Sequence, residues 1–319
     1  MSKFIDSIID EARESTENEE FDAVVGLSEE EILKFINQGQ NRLHSKIVAQ
    51  HPMVFFAEKT YNVAANQEAY TIPEHKAFLK NKVAQVEFST SSSADDYYPL
   101  RPTSLYNRDT GTSGNPDFYI RRGGEILLLG TPSAASGLIR LTYVRKVMKL
   151  DKRRGLVKAV TLDSGTSTVT NLEINYVNGS TVDSGQLAKD TRITVVDKYG
   201  NIKMENILLS SIDSSVSYDA TLSIDSSFTY DSGETIAADD YVISGAYSTT
   251  HLELGPEVER YLQVYTEYKI LKRDSSIDSQ EAFAELSEIE RDIVASYADI
   301  SSDIIEIPII NDDEDSWLD

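Results

Sequence analysis

Between Leu27 and Pro52 the apolar residues Ile32, Phe35, Ile36, Leu43, Ile47 and Val48 fall close to helical spacing. Ser28 followed by Glu31 has the form of a capping box, and Glu29 to Glu31 place acid in the first turn, where the helix dipole favours it. The pattern predicts a helix of about 23 residues, roughly 35 Å long, limited by Pro52. Upstream, MSKFIDSIIDEARES reads as a short amphipathic helix. It lacks an apolar h-region and a small-residue cleavage site, so a cytosolic product is expected.

From Met53 to Val147 the period changes to two. MVFFAEKTYNV, EAYTIP, KVAQVEFST and YYPLRP are short β-prone runs broken by Asn, Pro and Ser. Gly123-Gly124 suits a hairpin turn between FYIRR and EILLL, and GTPSAASG is a second turn. In LIRLTYVRKV, Ile139, Leu141, Tyr143 and Val147 are expected on one face and Arg140, Thr142 and Lys146 on the other, with Arg145 interrupting the apolar side.

Residues 155–250 are rich in Ser, Thr, Asp and Gly, with repeated short β runs. TRITVVDKYGNIKMENILL predicts a hairpin around Lys198–Gly200, and SIDSSVSYD recurs twelve residues later as SIDSSFTYD. Two copies do not make a solenoid. Helical spacing returns with Val258, Tyr261, Tyr265, Tyr268 and Leu271 behind Pro256, then with Phe283, Leu286, Ile289, Ile293 and Tyr297 behind Asp278 or Ser279. The short connection predicts antiparallel neighbours. These stripes read as core.

The expected fold class is therefore α+β: an antiparallel helical bundle of N- and C-terminal helices (1–52 and 251–300), a β-sheet domain (53–154), a further inserted β domain (155–250) and an extended acidic C-terminal tail (301–319). From Asp299 onward the chain has eight acids and no base, yet Ile304, Ile305, Ile307, Ile309, Ile310 and Trp317 are unusual for a solvated tail. Such termini add a strand to a partner or pack along a neighbouring subunit.

Composition narrows the function. The net charge is −23, which disfavours affinity for DNA phosphates or anionic membranes. It suits solubility, or a surface past which a polyanion slides. There is no cysteine, and the four histidines (His44, His51, His75 and His251) show no paired ligand spacing. No cofactor or metal is expected. No run of apolar residues is long enough for a membrane span. GTPSAASG is not a nucleophile elbow, RRGGE and DKRRG lack the P-loop lysine, and pairs such as Asp95-Asp96 and Asp239-Asp240 are commonplace among 53 acids. The Asp/Ser-rich stretch offers hard oxygen ligands but no calcium-loop pattern. An enzyme is not expected.

One cluster runs against the overall charge. Arg145, Lys146, Lys149, Lys152, Arg153 and Arg154 stand against a single acid, Asp151. They read either as a solvated strand end or as a docking patch for an acidic partner, a second copy of this chain included. DNA contact ranks third, because few aromatics interleave.

In order, GLSEEEILKFINQGQNRLHSKI, NQEAYTIP, PDFYIRRGGEILLLGTPSAASGLIRLTYVRKV and LELGPEVERYLQVYTEYKILKRDSS resemble the head–tail adaptors of tailed bacteriophages, the class that includes tail tubular protein A. The resemblance spans about two-thirds of the chain. It implies a virion protein of the neck or tail, assembled in the host cytoplasm as a ring, usually of twelve copies. Such a ring would join the portal protein to tail or neck proteins and pass genomic DNA through its lumen without specific binding. The family has no site motif to carry over, so the basic cluster and the isoleucine-rich tail remain the candidate docking residues. A tail-fibre or receptor-binding role for residues 155–250 is the alternative.

Overall fold

The capping box at Ser28 forms as the sequence predicts. The Ser28 hydroxyl accepts from the Glu31 backbone N–H at 3.3 Å, while the Glu31 carboxylate accepts from the Ser28 N–H at 3.2 Å. It opens helix α2 (Glu29–Gln50), and Pro52 begins a short 3₁₀ turn (Pro52–Phe55) at its end. The computed structural model describes residues 5–17, 28–78, 83–91, 96–104, 114–130, 137–163, 168–176, 187–216, 219–229, 235–255, 257–273 and 278–303. The expected docking tail from Ile304 to Trp317 lies outside them.

The fold is α+β, with four helices among the described residues. Helices α1 (Ile5–Glu17), α3 (Glu257–Arg273) and α4 (Ser279–Asp303) join α2 around one core that includes Ile5, Ile8, Ile36, Leu43, Tyr261, Leu262, Leu286 and Ile293. Contacts between α2 and α3 fall as one number rises and the other drops: Lys269 lies over Phe35, and Tyr265 lies over Gly39. A Cβ on Gly39 would meet the Tyr265 ring at 2.8 Å, so glycine lets the two helices approach. The α3–α4 pairs behave likewise, with Tyr268 against Phe283 and the Gly255 region against Tyr297.

Two four-stranded sheets share a second core. One has the order β1 (Phe56–Asn62), β8 (Leu138–Val144), β3 (Val83–Ser89), β4 (Tyr98–Pro99), all antiparallel. The other runs β2 (Ala69–Thr71), β7 (Glu125–Leu129), β6 (Phe118–Arg122), β5 (Arg101–Pro102), with β5 parallel to β6. Gly123-Gly124 forms the expected two-residue turn, closed by Arg122 opposite Glu125, with Gly123 at φ +59. Ile126 and Leu128 face the shared core, while Leu127 and Leu129 pack with Ile120 on the other face, as a period of two requires.

In β8, Ile139, Leu141 and Tyr143 enter the sheet core as expected. Val147 does not follow them. The strand ends at Val144, and Val144, Val147 and Leu150 pack into the helical core instead. An alternation read from sequence has no way to show that the chain leaves one core for another.

The chain then enters a closed barrel in the order β10 (Gly155–Leu162), β11 (Thr168–Tyr176), β14 (Asp219–Thr229), β13 (Ile202–Val216), β12 (Arg192–Val196), β15 (Tyr241–Ser244). Its core includes Val157, Leu172, Ile193, Leu209, Leu222 and Val242. In the closed order every strand has a neighbour on each side. The β12–β13 hairpin turns at Lys198–Gly200 as predicted, where Asp197 accepts the Tyr199 and Asn201 N–H groups. The SIDSS repeat becomes two neighbouring antiparallel strands, pairing Ser211 with Ser223 and Ile212 with Leu222.

Candidate functional site

The sequence from Arg145 to Arg154 crosses from the sheets, past the helices, to the barrel, largely without strand partners. Its backbone must nevertheless be satisfied, and the hydrogen bonds come from every neighbouring unit. Arg145 and Lys146 N–H donate to the Phe55 and Lys76 carbonyls, Lys149 and Asp151 to Tyr247 and Thr249, and Arg154 to Val242. Strands β9 (Lys149–Leu150) and β16 (Ser248–Thr249) pair in parallel within this run.

Side chains of helix α2, with Glu253, supply further bonds. Asn37 donates to the Leu150 carbonyl at 2.8 Å and accepts its N–H at 2.9 Å, the two bonds a neighbouring strand would make. Gln40 donates to the Met148 carbonyl, and Glu253 accepts the Met148 N–H at 3.0 Å. His44 Nε2 lies 3.1 Å from the Arg145 carbonyl and donates to it. Its ring makes edge contacts with Phe55 and Phe78 at 4.4 and 4.6 Å. Positions 37, 40 and 44 form a polar line at helical spacing beside the apolar stripe. That spacing was the available signal, and the sequence reading did not use it.

The basic side chains meet acids of the same chain. Arg145 pairs with Glu253 and lies over the Phe55 ring. Lys152 reaches Glu29 at 3.0 Å and Glu30 at 3.3 Å, and Arg153 donates to Asp6 on α1 at 3.0 Å. Arg154 Nη1 donates to Glu30 at 2.5 Å, and Nη2 donates to Asp151 at 2.6 Å. Asp151 is 0 % exposed and also accepts the Ser244 N–H of the barrel at 2.8 Å. The first turns of α1 and α2 thus hold Asp6, Glu29 and Glu30, three of the acids that the basic run faces. Lys146 is half-buried and Lys149 exposed, and neither has an ion pair among the described residues.

Titration behaviour follows from this packing. Burial works to raise the Glu30 carboxyl, but the hydrogen bond and charge of Arg154, with Lys152, outweigh it and hold Glu30 below the usual carboxylate range. At Asp6 burial wins over Arg153, and the carboxyl is raised. Burial lowers His44 to about 4. Its unfolded value is near 6.5, so as pH falls the unfolded chain takes up the proton first and stability drops. Between pH 7 and 5 the loss from this group should be about 1–2 kcal/mol. Urea unfolding of His44→Gln beside the native chain should show a shallower pH dependence in that window. Parallel curves would contradict this.

Other candidates fold into local structure. Asp240 accepts the Ala237 N–H at 2.7 Å in a turn, with Asp239 at φ +70; Asp95 lies outside the described residues. Among the described residues no group of three or more His, Asp or Glu could hold a metal ion, and no helix is long and apolar enough to cross a membrane.

The charges and amides of the junction from Arg145 to Arg154 tie helices, sheets and barrel together. A family model described as SU10 adaptor protein matches residues 4–179, more than half of the 319-residue chain, and the chain belongs to that family. The family is of the phage head–tail adaptor type, which implies a structural component of a virion that contacts other phage structural proteins. The matched span takes in α1, α2, both sheets, the junction and the first two barrel strands. No curated protein matches the chain.

Proposed function

We propose that the chain is a non-enzymatic connector subunit that assembles as a ring, twelve copies in the usual case, between portal and tail, with genomic DNA passing through the lumen. The observation that carries this reading is where the positive charge goes. Four of the six cations between Arg145 and Arg154 are engaged by Glu253, Glu29, Glu30, Asp6 and Asp151. A chain of net charge −23 that turns its basic cluster inward keeps an acidic exterior, and such a surface repels a passing polyanion. In this reading 1–52 and 251–300 form an antiparallel bundle, 53–154 the sheet domain and 155–250 the inserted domain. The docking role of the basic run then narrows to Lys149 and Lys146, and the isoleucine-rich tail contacts a ring neighbour, portal or tail protein.

Electron microscopy of the purified chain, alone and mixed with portal, is the test. Rings or portal-bound assemblies are expected, and a strictly monomeric chain that never joins a portal or tail component overturns the reading. Deleting residues 301–319 should weaken attachment while leaving the far-ultraviolet circular dichroism intact.

A second reading draws on the barrel. Strands β12 to β15 lie beyond the family match, and β13 is fifteen residues long, so this barrel is the part most suited to a recognition role on a tail fibre or receptor. Binding of the full chain to host cells, absent when the barrel surface is altered, would favour it.

A further inference from the structure

An aromatic ladder rises out of the helical core at the end of the helices away from Asp303. Tyr261 is buried and stacks near Tyr265 at 6.1 Å; Tyr265 meets Tyr268 at 6.4 Å, and Tyr268 meets Phe283 at 5.4 Å. Phe283 is 43 % exposed, although its helical spacing marks it for the core. Cations from two helices ring the exposed end. Arg42 lies over the Phe283 ring at 5.9 Å, and Lys272 lies over Tyr268 at 5.4 Å and donates to its hydroxyl at 3.0 Å. Lys269 lies over Phe35 at 5.7 Å. Neither Lys269 nor Lys272 has an ion pair among the described residues, whereas Arg42 is held from one side by Glu290. In a chain of net charge −23 this sets an exposed aromatic ring, with half-buried Tyr268 and Phe35, beside lysines that no acid among the described residues pairs. Aromatic rings, arginine and desolvated cations are the groups that anchor protein interfaces.

We propose that this surface binds residues 304–319 of a second copy of the chain. The claim rests on the ring reading above and names the neighbour's contact within it. Residues 304–319 carry six acids (Glu306, Asp312, Asp313, Glu314, Asp315 and Asp319), no base, and the sole tryptophan, Trp317. They match the platform in charge, and Trp317 supplies an aromatic anchor for the exposed ring. The choice of a neighbour comes from the ring reading, because the tail is long enough to reach either subunit. Phe283 and Asp303 are twenty residues apart on α4, about 30 Å by helical rise, so the tail leaves its own helix at the far end. Sixteen residues reach about 53 Å when extended, enough to cross to an adjacent subunit.

The single tryptophan makes the test direct. In the full chain, Trp317 emission should be blue-shifted at high protein concentration and move to the solvated value on dilution. Lys269→Glu with Lys272→Glu, or Phe283→Ala, should produce the solvated value at every concentration. Among the described residues the core clusters end at Tyr297, so a chain ending at Asp303 retains all of those core residues. A synthetic 304–319 peptide should bind that chain saturably, and at least tenfold more weakly after the lysine reversals. Solvated emission throughout, or indifference to these variants, overturns the proposal. So does a blue shift independent of concentration, which would place the tail on its own subunit. Rings that form with Trp317 solvated would sink this contact and leave the adaptor reading standing; absence of rings under all conditions would sink the adaptor reading itself.

Discussion

Arg154→Ala is expected to lower the unfolding free energy by about 3–5 kcal/mol, the usual cost of removing one partner from a buried ion pair. Arg154 is 8 % exposed and is the cation that faces Asp151, which has no exposure. Once the guanidinium is gone, Asp151 keeps only the Ser244 N–H as a donor among the described residues. Glu30 contributes less to the loss, because it is partly exposed and water can replace Arg154 there. Arg154→Lys should recover only part of the stability, since an ammonium cannot fork between two carboxylates. Arg154→Met combined with Asp151→Asn should be markedly less harmful than Arg154→Ala, because no buried charge is then stranded. Urea denaturation measures all three, and a loss below 1 kcal/mol for Arg154→Ala would show that the pair is not desolvated.

Gly137→Ala is expected to cost about 3 kcal/mol or more. Gly137 sits at φ +110 where β8 begins, and a Cβ there would overlap the Ser89 carbonyl oxygen of the adjacent strand. Left-handed backbone costs an L-residue roughly 1–2 kcal/mol, and overpacking against an immobile backbone adds about 1–3 kcal/mol. The obstacle is main chain in a paired sheet, so no side chain can rotate away. Gly123→Ala is the control: its φ is +59, but nothing lies within 4 Å of the added carbon, so only the conformational cost of about 1 kcal/mol remains. Equal melting temperatures for the two variants would contradict this account.

Much of the fold was legible along the chain. The Ser28–Glu31 box, the stripes of α2, α3 and α4, the Gly123-Gly124 turn and the Lys198–Gly200 hairpin all depend on residues within a few positions of one another. The candidate site was legible only in part. The basic run stood out as a composition anomaly, but its reading as an outward patch left out Asp6, Glu29, Glu30 and Glu253, which lie up to 147 residues away. Phe283 shows the reverse error: its spacing says core, and the packing leaves it at the surface.

The sequence by itself determined the element types, the turns and the helix caps, because periodicity and capping are local properties of neighbouring residues. It also determined the surplus of acid and the run of basic residues between Arg145 and Arg154. Only the tertiary structure decided that Val147 changes cores, that the barrel closes, that Asn37, Gln40 and His44 bind the crossing segment, and that its arginines are braced internally. Those outcomes depend on which faces meet across distant parts of the chain. A buried charge must find its partner wherever packing places one, and no local pattern encodes that address.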